Sequence, residues 1–251
     1  MIVFPDISDA DLTTFSESGF LLIPKAFDGD AISKISEWTQ EVVKMPEISG
    51  RQWVYHEKSL VDGTDIVSRI ENISPFHAGY RELTKVLQKP ASQLLGEKAV
   101  LFKEKINFKM PGGDGFKPHQ DSQAGWDKYA DFFVSALISI DTATIENGCL
   151  KIVDGYHKKG LFRSWEPLND QEMVGMKFTP VPTNPGDVIF FDCYAPHASD
   201  ANRTKSVRRI YYATYNKLSA GNHLEKYYAD KHKTYPPDID RQIGKEYIFR
   251  V

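Results

Sequence analysis

The residues best suited to chemistry are two histidines and an aspartate. His119 and Asp121 lie in Gly115-Phe-Lys-Pro-His-Gln-Asp121, and His197 lies in Ala195-Pro-His-Ala-Ser199. Two imidazoles and one carboxylate on one face of an iron leave coordination positions open, so a cosubstrate and O₂ can bind together. A structural zinc site would be closed by four protein ligands. The spacing predicts a non-haem Fe(II) site in which all three residues are catalytic metal ligands.

An arginine follows His197 closely, where a cosubstrate carboxylate would need a partner. A guanidinium holds a carboxylate through two parallel hydrogen bonds, and 2-oxoglutarate has a distal carboxylate that is costly to bury unpaired. We predict that Arg208 binds this carboxylate. Neighbouring residues of a strand point to opposite faces, so Arg209 should face away. We place Arg208 near His197 by expecting a strand that ends at His197 to pair with the next strand.

Helical periodicity dominates the first part of the chain. Ser8 can cap a helix that ends at Gly19, and a second apolar helical pattern begins near Asp30. A third pattern starts after Tyr80. It should be interrupted at Pro90, because proline removes a helical N–H donor.

The chain changes to strand patterns at about residue 99. Short runs rich in Val, Ile, Leu and Phe alternate with turn sequences such as Asn147-Gly148 and Asp154-Gly155. This order predicts an α+β, mainly β, chain: a double-stranded β-helix (a jelly-roll, cupin-like barrel) with N-terminal helices packed on it. We expect a single domain over 1–251, with mainly helical support over 1–98, a jelly-roll core over 99–216 and a C-terminal helical extension over 217–251.

Composition excludes several classes of function. The apolar fraction of 41% is that of a globular protein, and a formal charge of −3 gives no electrostatic case for nucleic acid or an anionic membrane. Cys149 and Cys193 lie in apolar runs, which favours two buried thiols and a reducing compartment over one buried disulfide. We see no signal peptide and no long apolar span. We expect a cytoplasmic enzyme with a small-molecule substrate and no nucleic-acid or membrane partner.

One strand carries a polar row. Lys103, Lys105, Asn107 and Lys109 share one parity. Such a row is typical of a solvated strand face. In a barrel, however, one strand face can look into the cavity, and Lys105 and Asn107 could then bind a cosubstrate carboxylate or an anionic substrate.

Three residues near the triad are candidates for contact with the substrate. They are Gln120, Trp126 and Tyr129. Trp126 and Tyr129 lie in the loop after the triad carboxylate, where they could line the substrate entrance. Core packing explains both aromatic residues equally well.

Several motifs, taken in order, resemble the phytanoyl-CoA dioxygenase family. They are His119-Gln-Asp121, Glu146-Asn-Gly-Cys-Leu150, Asp154-Gly-Tyr-His157, Pro185-Gly-Asp-Val-Ile-Phe-Phe191 and Pro196-His-Ala-Ser199, followed by Asn202, Thr204 and Arg208. The resemblance covers residues 99–216, and Phe20-Leu-Leu-Ile-Pro24 is similar too. It implies a double-stranded β-helix, Fe(II) on the triad, 2-oxoglutarate on Arg208, and Ser199 assisting Arg208. Tyr156 stands where the family usually has serine, at a turn.

The leading interpretation is a dioxygenase that uses Fe(II), 2-oxoglutarate and O₂ to hydroxylate a C–H bond. The tail from Tyr227-Tyr-Ala-Asp-Lys231 to Pro236-Pro237 resembles bacterial members that act on small molecules, which suggests a small polar or anionic metabolite such as a phosphonate or a natural-product intermediate. The alternatives are an acyl-CoA hydroxylase of the same family and a non-catalytic metal-binding jelly-roll protein. An oxidative halogenase would leave the carboxylate position to a halide, so Asp121 favours hydroxylation.

Overall fold

The computed structural model describes residues 2–248, which contain four α-helices and eleven strands. The helices are α1 (Asp9–Ser18), α2 (Gly29–Lys44), α3 (Ala78–Leu95) and α4 (Leu224–Thr234). The strands are β1 (Phe20–Ile23), β2 (Trp53–Lys58), β3 (Asp65–Glu71), β4 (Ala99–Lys109), β5 (Phe116–His119), β6 (Phe133–Ser139), β7 (Leu150–Ile152), β8 (Thr179–Val181), β9 (Val188–Asp192), β10 (His197–Ser199) and β11 (Arg208–Lys217).

The strands form two antiparallel sheets that enclose a cavity. The large sheet has the order β1-β9-β6-β11-β4-β3-β2, and the small sheet has the order β5-β10-β7-β8. Residues from both sheets line the cavity between them. The mainly β, α+β architecture is the predicted one. The assignment of the whole chain to one domain stays a prediction.

Helix α1 begins and ends where the sequence predicts. The Ser8 hydroxyl accepts the Asp11 N–H while the Asp11 carboxylate accepts the Ser8 N–H, which is a capping box. Gly19 then adopts a left-handed conformation with φ of 81°, which ends the helix. The chain enters β1 directly and so pins the N-terminal helices to the edge of the large sheet.

Helix α3 runs through Pro90, so the predicted interruption is wrong. Proline removes one backbone donor from the helix. However, Leu83, Leu87, Ala91 and Pro90 itself are all buried. This continuous apolar stripe packs against the large sheet, and its burial outweighs the loss of one hydrogen bond.

Strands β2 and β3 were not anticipated in the segment predicted as helical support. They extend the large sheet, with Arg69 of β3 opposite Asn107 of β4. The sequence of β3 includes charged Arg69 and Glu71, both of which are buried. Because these charges face inward, β3 lacks the apolar-in, polar-out alternation by which strands are usually recognised.

The large sheet has two chemically different faces. Along β11, Tyr211 and Tyr215 join the apolar core against the helices, whereas Arg208, Tyr212 and Thr214 line the cavity. Strand β4 alternates in the same way, with its lysines on the cavity side. Side chains two apart on a strand share a face, so the cavity surface follows from the register of these two strands.

Two details of the predicted strand order are wrong. His197 begins β10 and does not end a strand, because β9 already ends at Asp192. Strands β10 and β11 do not pair, since β10 belongs to the small sheet and β11 to the large one. The loop over 200–207 carries the chain from one sheet to the other. His197 and Arg208 therefore line the same cavity from different sheets.

Cys149 and Cys193 are both buried and both free, as predicted. Within residues 2–248, no helix has the length and apolar character needed to cross a bilayer.

The close contact between α2 and α3 predicts that stability is sensitive to added side-chain volume at Gly79. A Cβ atom at Gly79 would lie 2.2 Å from the Trp38 ring. We expect Gly79→Ala to lower the free energy of unfolding by about 1–3 kcal/mol, as overpacking does. Gly29→Ala is the matched control, because it also lies at a helix start and nothing is within 4 Å of its added Cβ. Urea unfolding of both variants is the measurement, and equal stabilities would contradict the packing argument.

Candidate metal centre and active-site cavity

The three predicted metal ligands meet at one point in the cavity. His119 ends β5 and His197 begins β10, where the two residues are paired in register. Asp121 follows an extended Gln120, so it points to the same side as His119. The ligand atoms of the triad all lie within 4.8 Å of one another. Asp121 Oδ1 is 4.0 Å from His119 Nε2 and 3.9 Å from His197 Nε2.

Backbone carbonyls orient both imidazoles. His119 Nδ1 lies 2.7 Å from the Lys117 carbonyl oxygen, and His197 Nδ1 lies 3.0 Å from that of Ala195. A carbonyl oxygen only accepts hydrogen bonds, so each Nδ1 carries the proton and each Nε2 presents a lone pair. Metal-binding histidines are commonly fixed in this way by a partner of the other nitrogen.

The protonation states also suit a divalent metal. Burial lowers the pKa of both histidines, and that of His119 falls to about 3. Burial alone would raise the pKa of Asp121, but electrostatic interactions with His197 and Lys103 outweigh it and hold this pKa below its ordinary value. The site therefore presents two neutral imidazoles and a carboxylate at neutral pH. This donor set fits Fe(II).

Arg208 is a buried cation that forms no ion pair with any residue between 2 and 248. Its side chain is 1% exposed, and its Nε has no hydrogen-bond partner in the part of the chain that the structure describes. A buried guanidinium left without a carboxylate is unfavourable, so the geometry fits an incoming dicarboxylate. Arg209 points to the other face, as predicted, and its Nε and Nη2 bind the two Asp141 oxygens at 2.8 and 2.7 Å.

Ser199 lines the same cavity and is held by a buried lysine. Lys109 Nζ donates to Ser199 Oγ at 2.8 Å and to the Asp200 carbonyl oxygen. The Ser199 hydroxyl thus keeps its own proton to donate to a bound anion. Gly148, with φ of 76°, makes room for this arrangement, because a Cβ there would lie 2.0 Å from the Asp200 carbonyl oxygen. Burial and the charge of Arg208 lower the pKa of Lys109 to about 7.

The triad and Arg208 open into a cavity of about 650 Å³. Of the remaining predicted residues, Lys105, Asn107, Trp126 and Tyr129 line it. Trp126 is also 1% exposed and packs in an aromatic cluster. Its position in the cavity wall and its role in core packing are therefore compatible.

Gln120 is the one residue predicted to contact the substrate that the structure places outside the cavity lining. The side chain is fully buried. Its Nε2 donates to the carbonyl oxygens of Gly160 and Tyr194 at 2.8 and 2.7 Å, and its Oε1 accepts the Phe162 N–H at 2.8 Å. Extended geometry sends it away from its two ligand neighbours, and it fastens the 160–162 backbone to them.

The polar row of β4 faces the cavity and has few partners. Among the described residues, no hydrogen bond or ion pair satisfies the Lys103 or Lys105 ammonium, and Asn107 Oδ1 is buried without a partner. Lys103 Nζ lies 4.1 Å from the centre of the Trp126 ring. Burial and the charge of Lys103 lower the pKa of Lys105 to about 7.

Sequence analysis missed a second charged group of the cavity. Arg69 Nε lies 2.8 Å from one Glu71 oxygen, and Lys231 Nζ lies 2.6 Å from the other. Burial opposes ionisation of Glu71, but the charges of Lys231 and Arg69 lower its pKa to about 2. The period-two pair in Arg69-Ile-Glu71 could have indicated an inward polar face. Lys231 lies on α4, and no pattern in the local sequence predicts its position in the cavity.

Trp165 was missed as well. It lines both the main cavity and a neighbouring cavity of about 390 Å³. Its φ is 70°, in the left-handed region, which costs a bulky residue about 1–3 kcal/mol. Such strain is concentrated at functional sites.

Comparison with known proteins bears directly on this site. The family described as phytanoyl-CoA dioxygenase matches residues 15–210. The 2-aminoethylphosphonate dioxygenase of uncultured bacterium HF130_AEPn_1 is 36% identical, with 94% of this chain and 91% of that protein aligned. The methylphosphonate hydroxylase of Gimesia maris is also 36% identical, with 96% and 92% aligned.

A solved structure shares the fold. EctD from S. alaskensis, crystallised with 2-oxoglutarate and 5-hydroxyectoine, superposes with a TM-score of 0.71 at 20% identity, covering 85% of this chain and 77% of that one. This similarity confirms the predicted jelly-roll fold. The relatives confirm the predicted enzyme class. The neighbouring structures that contain 2-oxoglutarate or iron, together with the family and the triad, confirm Fe(II) as the metal and 2-oxoglutarate and O₂ as cosubstrates. Together with the triad geometry, these matches show that the chain belongs to the phytanoyl-CoA dioxygenase family of Fe(II)- and 2-oxoglutarate-dependent dioxygenases.

Proposed function

We propose that this enzyme hydroxylates a C–H bond of a small phosphonate. The observation that carries the proposal is the pair of cavity-facing ammonium groups on Lys103 and Lys105, neither of which forms an ion pair or a hydrogen bond with a described residue. Cations in a low-dielectric cavity favour an anionic ligand, and a phosphonate can offer two negative charges to two ammonium groups. The two phosphonate-oxidising relatives support this substrate class.

The cosubstrate and the substrate occupy different parts of the cavity in this proposal. Arg208 and Ser199 bind the distal carboxylate of 2-oxoglutarate, and Asn107 supplies a further polar contact. Lys103 binds the phosphonate. Lys105 lies between Lys103 and Asn107 on one face of β4 and stabilises both anions.

His119, Asp121 and His197 would hold the iron, which would supply O₂ activation: one oxygen atom goes into succinate as 2-oxoglutarate loses CO₂, and the other hydroxylates the substrate C–H bond. The protein binds and orients both organic molecules. Glu71 forms ion pairs with Arg69 and Lys231, so these three side chains fix the cavity wall and leave the β4 lysines to the substrate.

Removal of any triad side chain tests the metal assignment. We expect His119→Ala, Asp121→Ala and His197→Ala each to abolish Fe(II)-dependent succinate formation, because two ligands hold the metal too weakly. The fold should survive, since the triad contributes no apolar core. Succinate is quantified with Fe(II), ascorbate and 2-oxoglutarate, and circular dichroism reports the fold. A variant with full activity would remove its residue from the triad.

The two adjacent arginines form a matched pair for testing the cosubstrate assignment. Arg208→Ala should raise the KM for 2-oxoglutarate, because loss of one partner of a desolvated charge pair costs about 2–5 kcal/mol. Arg209→Ala removes an arginine from the opposite face, so this KM should stay within about twofold. The same succinate assay measures both constants. An effect confined to Arg209→Ala would contradict the assignment.

Substitution of the β4 lysines tests the substrate assignment. Lys103→Met keeps the aliphatic stem and should raise the KM for 2-aminoethylphosphonate about tenfold to hundredfold, as loss of a charged hydrogen bond does. The KM for 2-oxoglutarate should not change. Lys105→Met should raise both constants. Lys233→Met is a control that should change neither constant, since that cation also lines the cavity but is paired with Asp230 at 3.3 Å.

The substrate class itself is tested by stimulation of 2-oxoglutarate consumption. We expect small phosphonates to stimulate the unmodified enzyme and to yield hydroxylated product without any halide requirement. The panel also contains small carboxylates, amines and acyl-CoA thioesters. Stimulation only by the thioesters would contradict the phosphonate proposal and favour an acyl-CoA hydroxylase.

A further inference from the structure

Trp165 combines a strained backbone with an exposed indole. Its φ of 70° lies in a region that residues with a Cβ rarely adopt, and its side chain is 37% exposed. An unconstrained loop would relax such a residue to negative φ. Its surroundings must therefore hold it in this conformation.

The segment around Trp165 is tied to the segment that carries the metal ligands. The Trp165 N–H donates to the Gln123 carbonyl oxygen at 2.7 Å, and the fully buried Gln123 side chain donates through Nε2 to the Glu166 carbonyl oxygen at 2.7 Å. The Leu168 N–H donates to the Pro118 carbonyl oxygen at 2.8 Å. The position of Trp165 is thus fixed relative to the triad by hydrogen bonds on both sides of it.

The indole ring is also held from one side. It lies over Gly125, where an added Cβ would be 2.3 Å from the ring, and φ of 72° at that residue makes glycine the suitable choice. Lys128 Nζ lies 4.9 Å from the ring centre. Gly125 ends the short 3₁₀ helix that begins at Asp121, so the ring packs on the backbone that positions the triad carboxylate.

The indole lies where two cavities adjoin. Trp165 lines the main cavity and the neighbouring cavity of about 390 Å³, and His119 and Arg208 also line both. The neighbouring cavity lies between β2, β3, β4 and the loop before β5, and it contains Glu57 and Asp114. A substrate bound near His119 therefore has open space on the side of this ring.

We propose that Trp165 is a positioning residue: its indole forms the wall that confines the substrate near the triad and limits the size of substrate that can be oxidised. The proposal rests on the proposed function, because it concerns the substrate of that same site. Loss of the indole lets the substrate move away from the triad and lets water enter. A small displacement of the reacting C–H bond reduces productive turnover strongly.

Three substitutions separate the wall from its strain. Trp165→Gly removes both the indole and the strain, Trp165→Ala removes the indole but keeps a Cβ at positive φ, and Trp165→Phe keeps a smaller ring. We expect the Gly and Ala variants to raise the KM for 2-aminoethylphosphonate about tenfold and to lower the ratio of hydroxylated product to succinate. The Phe variant should lie between them and the unmodified enzyme.

The melting temperature provides a second measurement, which does not depend on turnover. Trp165→Gly should melt about 2–4 °C above Trp165→Ala, because only the glycine adopts positive φ without cost. Val174→Ala is the control, since Val174 lies in the same loop, is 76% exposed and lines neither cavity. It should keep the KM and the product-to-succinate ratio of the unmodified enzyme.

Substrate size decides the proposal. Benzylphosphonate should be a poor substrate of the unmodified enzyme and a better one of the Gly and Ala variants. If both variants keep the product-to-succinate ratio and the substrate-size preference of the unmodified enzyme, the proposal that Trp165 forms a wall is overturned. If no phosphonate is oxidised by the unmodified enzyme, the proposed substrate class fails. In that case a size series of the carboxylates or amines that stimulate the enzyme, measured on the same variants, still decides the role of Trp165.

Discussion

The cavity of this enzyme is organised by positive charge that the protein does not fully neutralise. Arg208, Lys103 and Lys105 project from two adjacent strands into a space between the sheets. Charges in such a space are unfavourable unless they are paired, and none of these three side chains forms an ion pair with a described carboxylate. Glu71, the buried acid nearby, is already engaged by Arg69 and Lys231. Without bound ligands, the positive charge in the cavity is therefore electrostatically unfavourable. Binding of anions compensates for it.

Much of this arrangement could be predicted from local sequence. The capping box at Ser8, the parity of Arg208 and Arg209, and the common side of His119 and Asp121 depend on residues a few positions apart. Local geometry of that kind is readable from a single chain. The shared parity of the polar residues of β4 is equally readable. The sequence alone does not decide whether these side chains face solvent or the cavity.

The failures share one physical cause, which is contact between segments that are distant in sequence. The sheet to which β10 or β11 belongs depends on where a loop carries the chain, and a spacing of residues does not state that. Helix α3 passes through Pro90 because its apolar face finds the large sheet. Gln120 fastens the 160–162 backbone, and Trp165 joins the cavity, through pairings that tertiary packing alone creates.

The row on β4 has a consequence for how this kind of enzyme can diversify. Its side chains occur at every second residue of one rigid strand. In the function proposed above, the end near Arg208 binds the cosubstrate and the other end binds the substrate. A mutation at one position of this row changes the affinity for one bound molecule and leaves the neighbouring side chains of the row in place. New substrate preferences can thus accumulate through single replacements without loss of the oxidative machinery.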